Sequence, residues 1–198
     1  MAHQLRAEET KSKILTAAAI CFARNGYDAS SVSMICEEAG VTKGAFYYHF
    51  STKQAIFLEL INLWLSELDT SFNAIRHSSQ TVPSGLMEMA KALGILFDHS
   101  LDYVPFFLEF WLHSIRDAEI WKIMILPYRR YQEYFAEIMQ AGIDEGSFRP
   151  HDVNRSSRTL ISTAIGLVLS GLIEPEEKTN WETSVQESVQ VFLEGILA

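Results

Sequence analysis

Apolar positions recur along this chain at intervals of three and four, and no stretch alternates strictly enough to read as a strand. The pattern predicts an all-α protein. A first helix is expected from about Glu8 to Asn25, with Ile14, Ala18, Cys21 and Phe22 on one buried stripe and Gly26 as a left-handed stop. Two short helices follow, at about Val32 to Ala39 and Lys43 to His49, separated by the turn Gly40-Val41-Thr42. A fourth opens at Ser51-Thr52-Lys53-Gln54, a capping-box pattern with Gln54 reaching back, and continues to about Ile75. Between Arg76 and Gly85 lies a polar break, the best linker-like point in the chain. The remainder reads as helices near 84–100, 104–116, 118–142, 153–173 and 181–197. Thr179 and Glu182 suggest a second capping box before the last of these, and Pro127 predicts a kink inside the third.

The informative stretch is Ser30 to Phe57, SSVSMICEEAGVTKGAFYYHFSTKQAIF. Two short helices joined by a glycine turn form the geometry that lays a second helix into the DNA major groove. Ile35, Ala39, Val41, Phe46 and Phe50 are spaced to make the small core that fixes the angle between them. Outside that core, a helix barely two turns long presents Thr42, Lys43, Gly44, Tyr47, Tyr48 and His49. An exposed Tyr-Tyr pair there is costly in water unless another surface covers it. Thr42 can cap the helix and aim its free N–H groups at a phosphate, and Gly44 has no side chain to hold the backbone away from DNA. Lys43 can reach a base edge or a phosphate, and Lys53 sits where a phosphate clamp is useful. Ser31 and Ser33 can serve from the other side. His49 is open between a phosphate contact and a hydrogen bond to the helix end. Tyr48 is expected to read bases.

This block resembles the N-terminal domain of the tetracycline-repressor (TetR) family. The residues that carry the resemblance are Phe22, Gly26, Tyr27, Ser30, Ser31, Ile35, Ala39, Gly40, Val41, Thr42, Gly44, Phe46, Tyr47, His49, Phe50, Thr52, Lys53 and Ile56. They span roughly residues 10–57, a specific match in length and spacing. Cys36 stands where that family usually has alanine, a small apolar exchange. The resemblance implies an N-terminal three-helix helix-turn-helix domain, residues 1–53, followed by a larger helical ligand-binding and dimerisation body, residues 54–198, with the fourth helix (about 52–75) bridging. It implies a homodimer on palindromic double-stranded operator DNA, usually a repressor released by a small molecule. It also implies an effector pocket among the middle helices.

Charge refines this picture. The chain has 198 residues and a formal net charge of -9, unpromising for a DNA binder. Residues 1–53, however, hold six Lys/Arg against five Asp/Glu, and the rest hold ten against twenty. The acidity belongs to the body, so DNA affinity must come from a few placed contacts and not from a broad basic field. Two cysteines cannot form a disulfide framework, and Cys21 and Cys36 are expected as inert core thiols. The charged N-terminus has no secretory signal, and the apolar run Leu160–Ile173 is too short for a bilayer, so a soluble, cytoplasmic protein with no membrane partner is expected.

Ten of the 23 aromatic residues fall between Tyr103 and Phe135, more than one core should need. Phe107, Phe110, Trp111, Met124 and Tyr128 are therefore expected to line a pocket for a small apolar or aromatic effector, largely on the strength of the resemblance. Glu109, His113 and Arg116 are open between a solvated face and the polar handle of that site. The helix from Leu160 to Ile173 is apolar almost all round, so one face needs a partner. Leu160, Ala164, Ile165, Val168, Leu169 and Leu172, with Val189 and Phe192 of the last helix, are expected at a two-fold interface. No nucleophile elbow, phosphate-cradling glycine loop or metal-ligand spacing appears, so neither an enzyme nor a cofactor is expected. A helical adaptor that kept the fold without binding DNA is the competing reading, and the joint presence of Lys43, Gly44, Tyr47 and Lys53 argues against it.

Overall fold

The computed structural model describes residues 2–100, 108, 110–112, 114–173 and 180–198, and of residues 2–4, 98–100, 171 and 172 the backbone alone. Its helices are α1 (Ala2–Asn25), α2 (Val32–Ala39), α3 (Lys43–His49), α4 (Lys53–Ser78), α5 (Val82–Ser100), α6 (Ala118–Asp144), α7 (Val153–Ile173) and α8 (Trp181–Glu194). Residues 110–112 are helical too, and they fall inside the predicted 104–116 helix. Among the described residues no strand forms, and an isolated antiparallel bridge pairs Phe148 with Leu197. The expected all-α class holds.

Several helix ends differ from expectation, each for a local reason. α1 begins at Ala2 because the segment before Glu8 contains good helix formers, although the apolar stripe starts only at Ile14. The predicted break shrinks to residues 79–81, where Thr81 Oγ1 accepts from Ser84 N at 3.3 Å and Pro83 occupies the first turn of α5. α4 is capped by Thr52, whose Oγ1 accepts from Ala55 N at 3.0 Å, and not by a box closed through Gln54. α8 is capped by Asn180, whose Oδ1 accepts from Thr183 N at 3.0 Å; Thr179 lies outside the described residues. α8 stops at Glu194, and the chain turns to pair Arg149 N–H with Ile196 O at 3.0 Å. Pro127 sits within α6 without ending it.

Two compact units form: Met1–Glu67 with Asp102–His113, and Leu68–Leu101 with Ser114–Ala198. The first has Ile14, Ala18, Cys21 and Phe22 of α1 packed with Ile35, Phe46, Phe50, Ile56, Phe57 and Phe110, all buried. In the second, α5 packs chiefly on α8 and α6 on α7. Its buried side chains include Phe72, Leu86, Phe97, Met124, Met139, Leu160, Trp181 and Val185. α5 and α8 touch backbone to backbone at Gly94, where a Cβ would run into Cα of Glu182. Buried Ser157 of α7 is satisfied by donating to Gln132 O on α6 at 2.6 Å. No helix among the described residues is long and apolar enough to cross a membrane.

Candidate nucleic-acid interface

The first unit builds a helix-turn-helix from its sequence with few degrees of freedom left over. Ser31 caps α2, its Oγ accepting from Met34 N at 3.2 Å. α2 ends at Gly40 in the left-handed region (φ 64°, ψ 35°), where a side chain would be strained, and Val41 N then donates to Cys36 O at 3.0 Å. Thr42 opens α3 by accepting from Ala45 N at 3.2 Å. Phe46 is fully buried and pins α3 through its inner face, so the residues beside it must turn outward.

That outer face is what the sequence predicted. Thr42, Lys43 and Gly44 are exposed in the first turn, and Tyr47 and Tyr48 are 55% and 73% exposed. His49 is half-buried, its ring edge-on to Tyr48 with centroids 4.9 Å apart. Ser31 and Ser33 are exposed in the first turn of α2. Two aromatic hydroxyls, a lysine and a capped helix N-terminus with unused backbone N–H groups together suit an anionic, hydrogen-bonding surface. At Gly44 a Cβ would meet Thr42 Oγ1 at 3.7 Å, an ordinary contact. The fold itself therefore has room for a side chain there.

Lys53 departs from the expected phosphate clamp. Its Nζ donates to the carbonyls of Tyr27 (2.6 Å), Ser30 (2.9 Å) and Asp28 (3.3 Å), and lies 4.2 Å from the Tyr27 ring centroid. Cys21 and Cys36 are buried, and burial pushes both thiols up, which disfavours the reactive thiolate. Among the described residues no group of three His, Cys, Asp or Glu side chains could hold a metal.

A family model described as "Bacterial regulatory proteins, tetR family" matches residues 14–60, and one described as "BetI-type transcriptional repressor, C-terminal" matches residues 100–198. The chain belongs to the TetR family of transcriptional regulators. It is 25% identical over 194 residues to the HTH-type transcriptional regulator YfiR of Bacillus subtilis, covering 96% of this chain and 93% of that protein. To the regulator QacR of Staphylococcus aureus it is 25% identical over 187 residues, covering 94% and 97%. A TetR transcription regulator from Haloarcula marismortui shares its fold with a TM-score of 0.84 at 16% identity, covering 96% of this chain and 100% of that one.

In this TetR-family chain the residues expected at the effector pocket are drawn from both units. Phe107 lies outside the described residues. Phe110 is fully buried in the first unit, its ring stacked on Phe57 with centroids 3.8 Å apart. Trp111, of the same unit, is half-buried. Met124 is buried and Tyr128 half-buried on α6 of the second unit. Glu109 and His113 lie outside the described residues, and Arg116 is exposed.

The residues expected at a dimer seam also divide. Leu160 and Val189 are buried within the second unit's own core. Ala164, Ile165, Val168 and Phe192 are half-buried, Leu169 is exposed, and the Leu172 side chain lies outside the described residues. Sequence reasoning passed over Val191, which is 70% exposed, and named Ile173, which is 77% exposed, only as the end of the apolar helix. At Gly166, among these open positions of α7, a Cβ would meet nothing within 4 Å. Tyr27 and Ser30 were counted as motif positions without a role; both are buried, and Ser30 Oγ donates to Gly26 O at 2.7 Å and Cys21 O at 3.0 Å.

Proposed function

We propose that this chain represses transcription as a homodimer on palindromic DNA and is released by a small apolar or aromatic molecule. Residues 1–53 are the reading head and residues 54–198 the sensing and pairing body, acting on DNA in the cytoplasm. The observation that carries the reading is the outer face of α3: Lys43, Tyr47 and Tyr48 stand exposed on a helix anchored by buried Phe46, with a Gly44 that the fold has no need of. A duplex brought against that face meets the α3 N-terminus through its phosphates and the two tyrosines through its base edges. Two such heads must sit ~34–36 Å apart to enter successive major grooves, which needs a dimer. Half-buried Ile165 and Val168 with exposed Leu169, Ile173 and Val191 supply apolar surface on α7 and α8 for that pairing. The repressor sense is supported by the BetI-type repressor model that covers the body. For the effector, the support is the aromatic density of α6 around Tyr128, Tyr131, Tyr134 and Phe135.

The deciding experiment is fluorescence anisotropy of DNA fragments flanking the chain's own coding region, repeated over a salt series. Specific, salt-dependent binding is expected, with Lys43→Ala lowering the log–log salt slope by about 0.9. Absence of salt-dependent affinity for any such fragment overturns the reading. Native mass spectrometry of freshly purified protein then looks for a co-purified apolar mass. A compound that binds tightly yet leaves DNA affinity unchanged removes the effector half of the proposal, because coupling is reciprocal.

A further inference from the structure

We propose that Lys53 is a positioning residue, a latch that ties the turn between α1 and α2 to the start of α4 and so sets the attitude of α2 and α3. This rests on the DNA-binding reading above, and assigns Lys53 a task other than phosphate neutralisation. An ammonium group has three N–H donors. Among the described residues, Lys53 Nζ reaches the carbonyls of Tyr27 at 2.6 Å, Ser30 at 2.9 Å and Asp28 at 3.3 Å. All belong to the turn after the Gly26 stop of α1. The Tyr27 and Ser30 carbonyls are part-buried and the Asp28 carbonyl is exposed, so an ammonium that turns to a phosphate with more than the donor spent on Asp28 leaves a part-buried carbonyl behind.

The same turn is held from two further sides. Ser30 Oγ donates back to Gly26 O at 2.7 Å and Cys21 O at 3.0 Å, closing the turn on α1. Beneath it, the Tyr27 ring meets Phe22 (5.3 Å between centroids), Phe57 (5.3 Å) and Phe110 (4.7 Å). Lys53 and Phe57 are four residues apart on α4, so one helix face supplies both the latch and the seat for the ring it covers at 4.2 Å. The next residue, Ser31, is the N-cap of α2. Displacing the latch therefore moves the first fixed point of the helix-turn-helix. Lys43, in contrast, stands exposed on α3 and touches this turn nowhere among the hydrogen bonds described. The two lysines of the motif thus divide the labour: one meets the DNA, the other aims the helix that does so.

The test compares full-length Lys53→Met and Lys53→Arg with the wild type by two measurements: DNA affinity across a salt series, and amide hydrogen exchange of the free protein. Methionine keeps the length without charge. Arginine keeps the charge and gains reach, yet its planar fork cannot direct donors at three converging carbonyls. Both variants are expected to lose at least about tenfold in DNA affinity with the salt slope unchanged, and to exchange the amides of residues 28–36 about tenfold faster or more. A slope lowered by about 0.9 in Lys53→Met, as one lost phosphate contact requires, overturns the proposal whatever the exchange does. Unaltered exchange over residues 28–36, or an arginine variant that binds DNA like the wild type, overturns it too. Should Lys53→Met not fold by circular dichroism, the arginine variant decides. A wild type that binds no DNA sinks the regulator reading alone, since exchange in the free protein still judges the latch.

Discussion

Tyr131 donates its hydroxyl to Asp69 Oδ1 at 2.6 Å, while the other oxygen of that carboxylate meets the Arg130 guanidinium at 2.8 Å. Asp69 stands on the last turns of α4 and Tyr131 on α6, so the pair fastens these helices inside the second unit. Burial first, and then the neighbouring carboxylate, pushes the Tyr131 phenol well above its usual range, so the hydroxyl stays a donor at any physiological pH. Tyr131→Phe is expected to destabilise the protein by about 1.5 kcal/mol, the lower end for a hydrogen bond to a charged group because the site is partly exposed. Urea unfolding measures this, and a midpoint equal to the wild type's would show the bond contributes nothing net.

Alkaline pH should loosen the reading head. Burial, with Asp28 adding to it, pushes the Tyr27 phenol up to about 12 from its ordinary value of 10.0. A raised folded-state value stabilises the protonated form. That contribution is complete below pH 10 and is lost as pH climbs from 10 to about 12. The slope from this one group reaches at most about 1.4 kcal/mol per pH unit. Tyr27→Phe should flatten the wild-type decline in that window, with Tyr131 and Tyr134 accounting for what remains. Equal pH slopes for the two proteins between pH 10 and 12 would refute the assignment.

Gly44→Ala separates folding from function. Alanine is favoured over glycine in helices by about 0.5–1 kcal/mol, and the added methyl meets Thr42 Oγ1 at an unstrained 3.7 Å. The variant should melt slightly higher than the wild type and bind DNA more than about tenfold worse, because its methyl occupies space the duplex needs. A variant with unimpaired DNA binding would place the closest approach elsewhere on α3.

Leu169→Arg puts a charge on the open face of α7 without touching the subunit's own core. Analytical ultracentrifugation at micromolar concentration should show a wild-type dimer and a folded variant monomer. A variant dimer, or a wild-type monomer, would move the pairing surface away from this helix.

The helix-turn-helix was readable from the sequence because local rules determine it. Thr42 is a cap, Gly40 lies in the turn between α2 and α3, and Ile35, Phe46 and Phe50 recur at core spacing, each in its expected place; the capping of α2 by Ser31 and the left-handed geometry of Gly40 came from the structure. Helix ends were less readable where several polar residues competed, as at Thr52 against Gln54 and Asn180 against Thr179. Long-range partners were not readable at all. Nothing in the local pattern says that Lys53 reaches back to three carbonyls near residue 28, or that Phe110 packs against Phe57 and Tyr27. An aromatic run reports only that its rings will be covered, and the tertiary fold chooses by what. Leu160 and Val189 show the same ambiguity on helices apolar around most of their circumference, where sequence cannot say which side faces inward.

Two of the helical glycines, Gly94 and Gly166, stand in opposite relation to change over generations. Gly94 is closed: any side chain would force the α5 and α8 backbones apart, so that site can be inherited in one form alone. Gly166 is open: a Cβ added there would meet nothing of its own subunit within 4 Å. On the proposed pairing face, a new side chain at that position is felt by a neighbouring copy and by nothing else. A duplicated gene could thus acquire a separate pairing identity at position 166 in one mutational step, with its fold and its DNA-reading helix inherited intact.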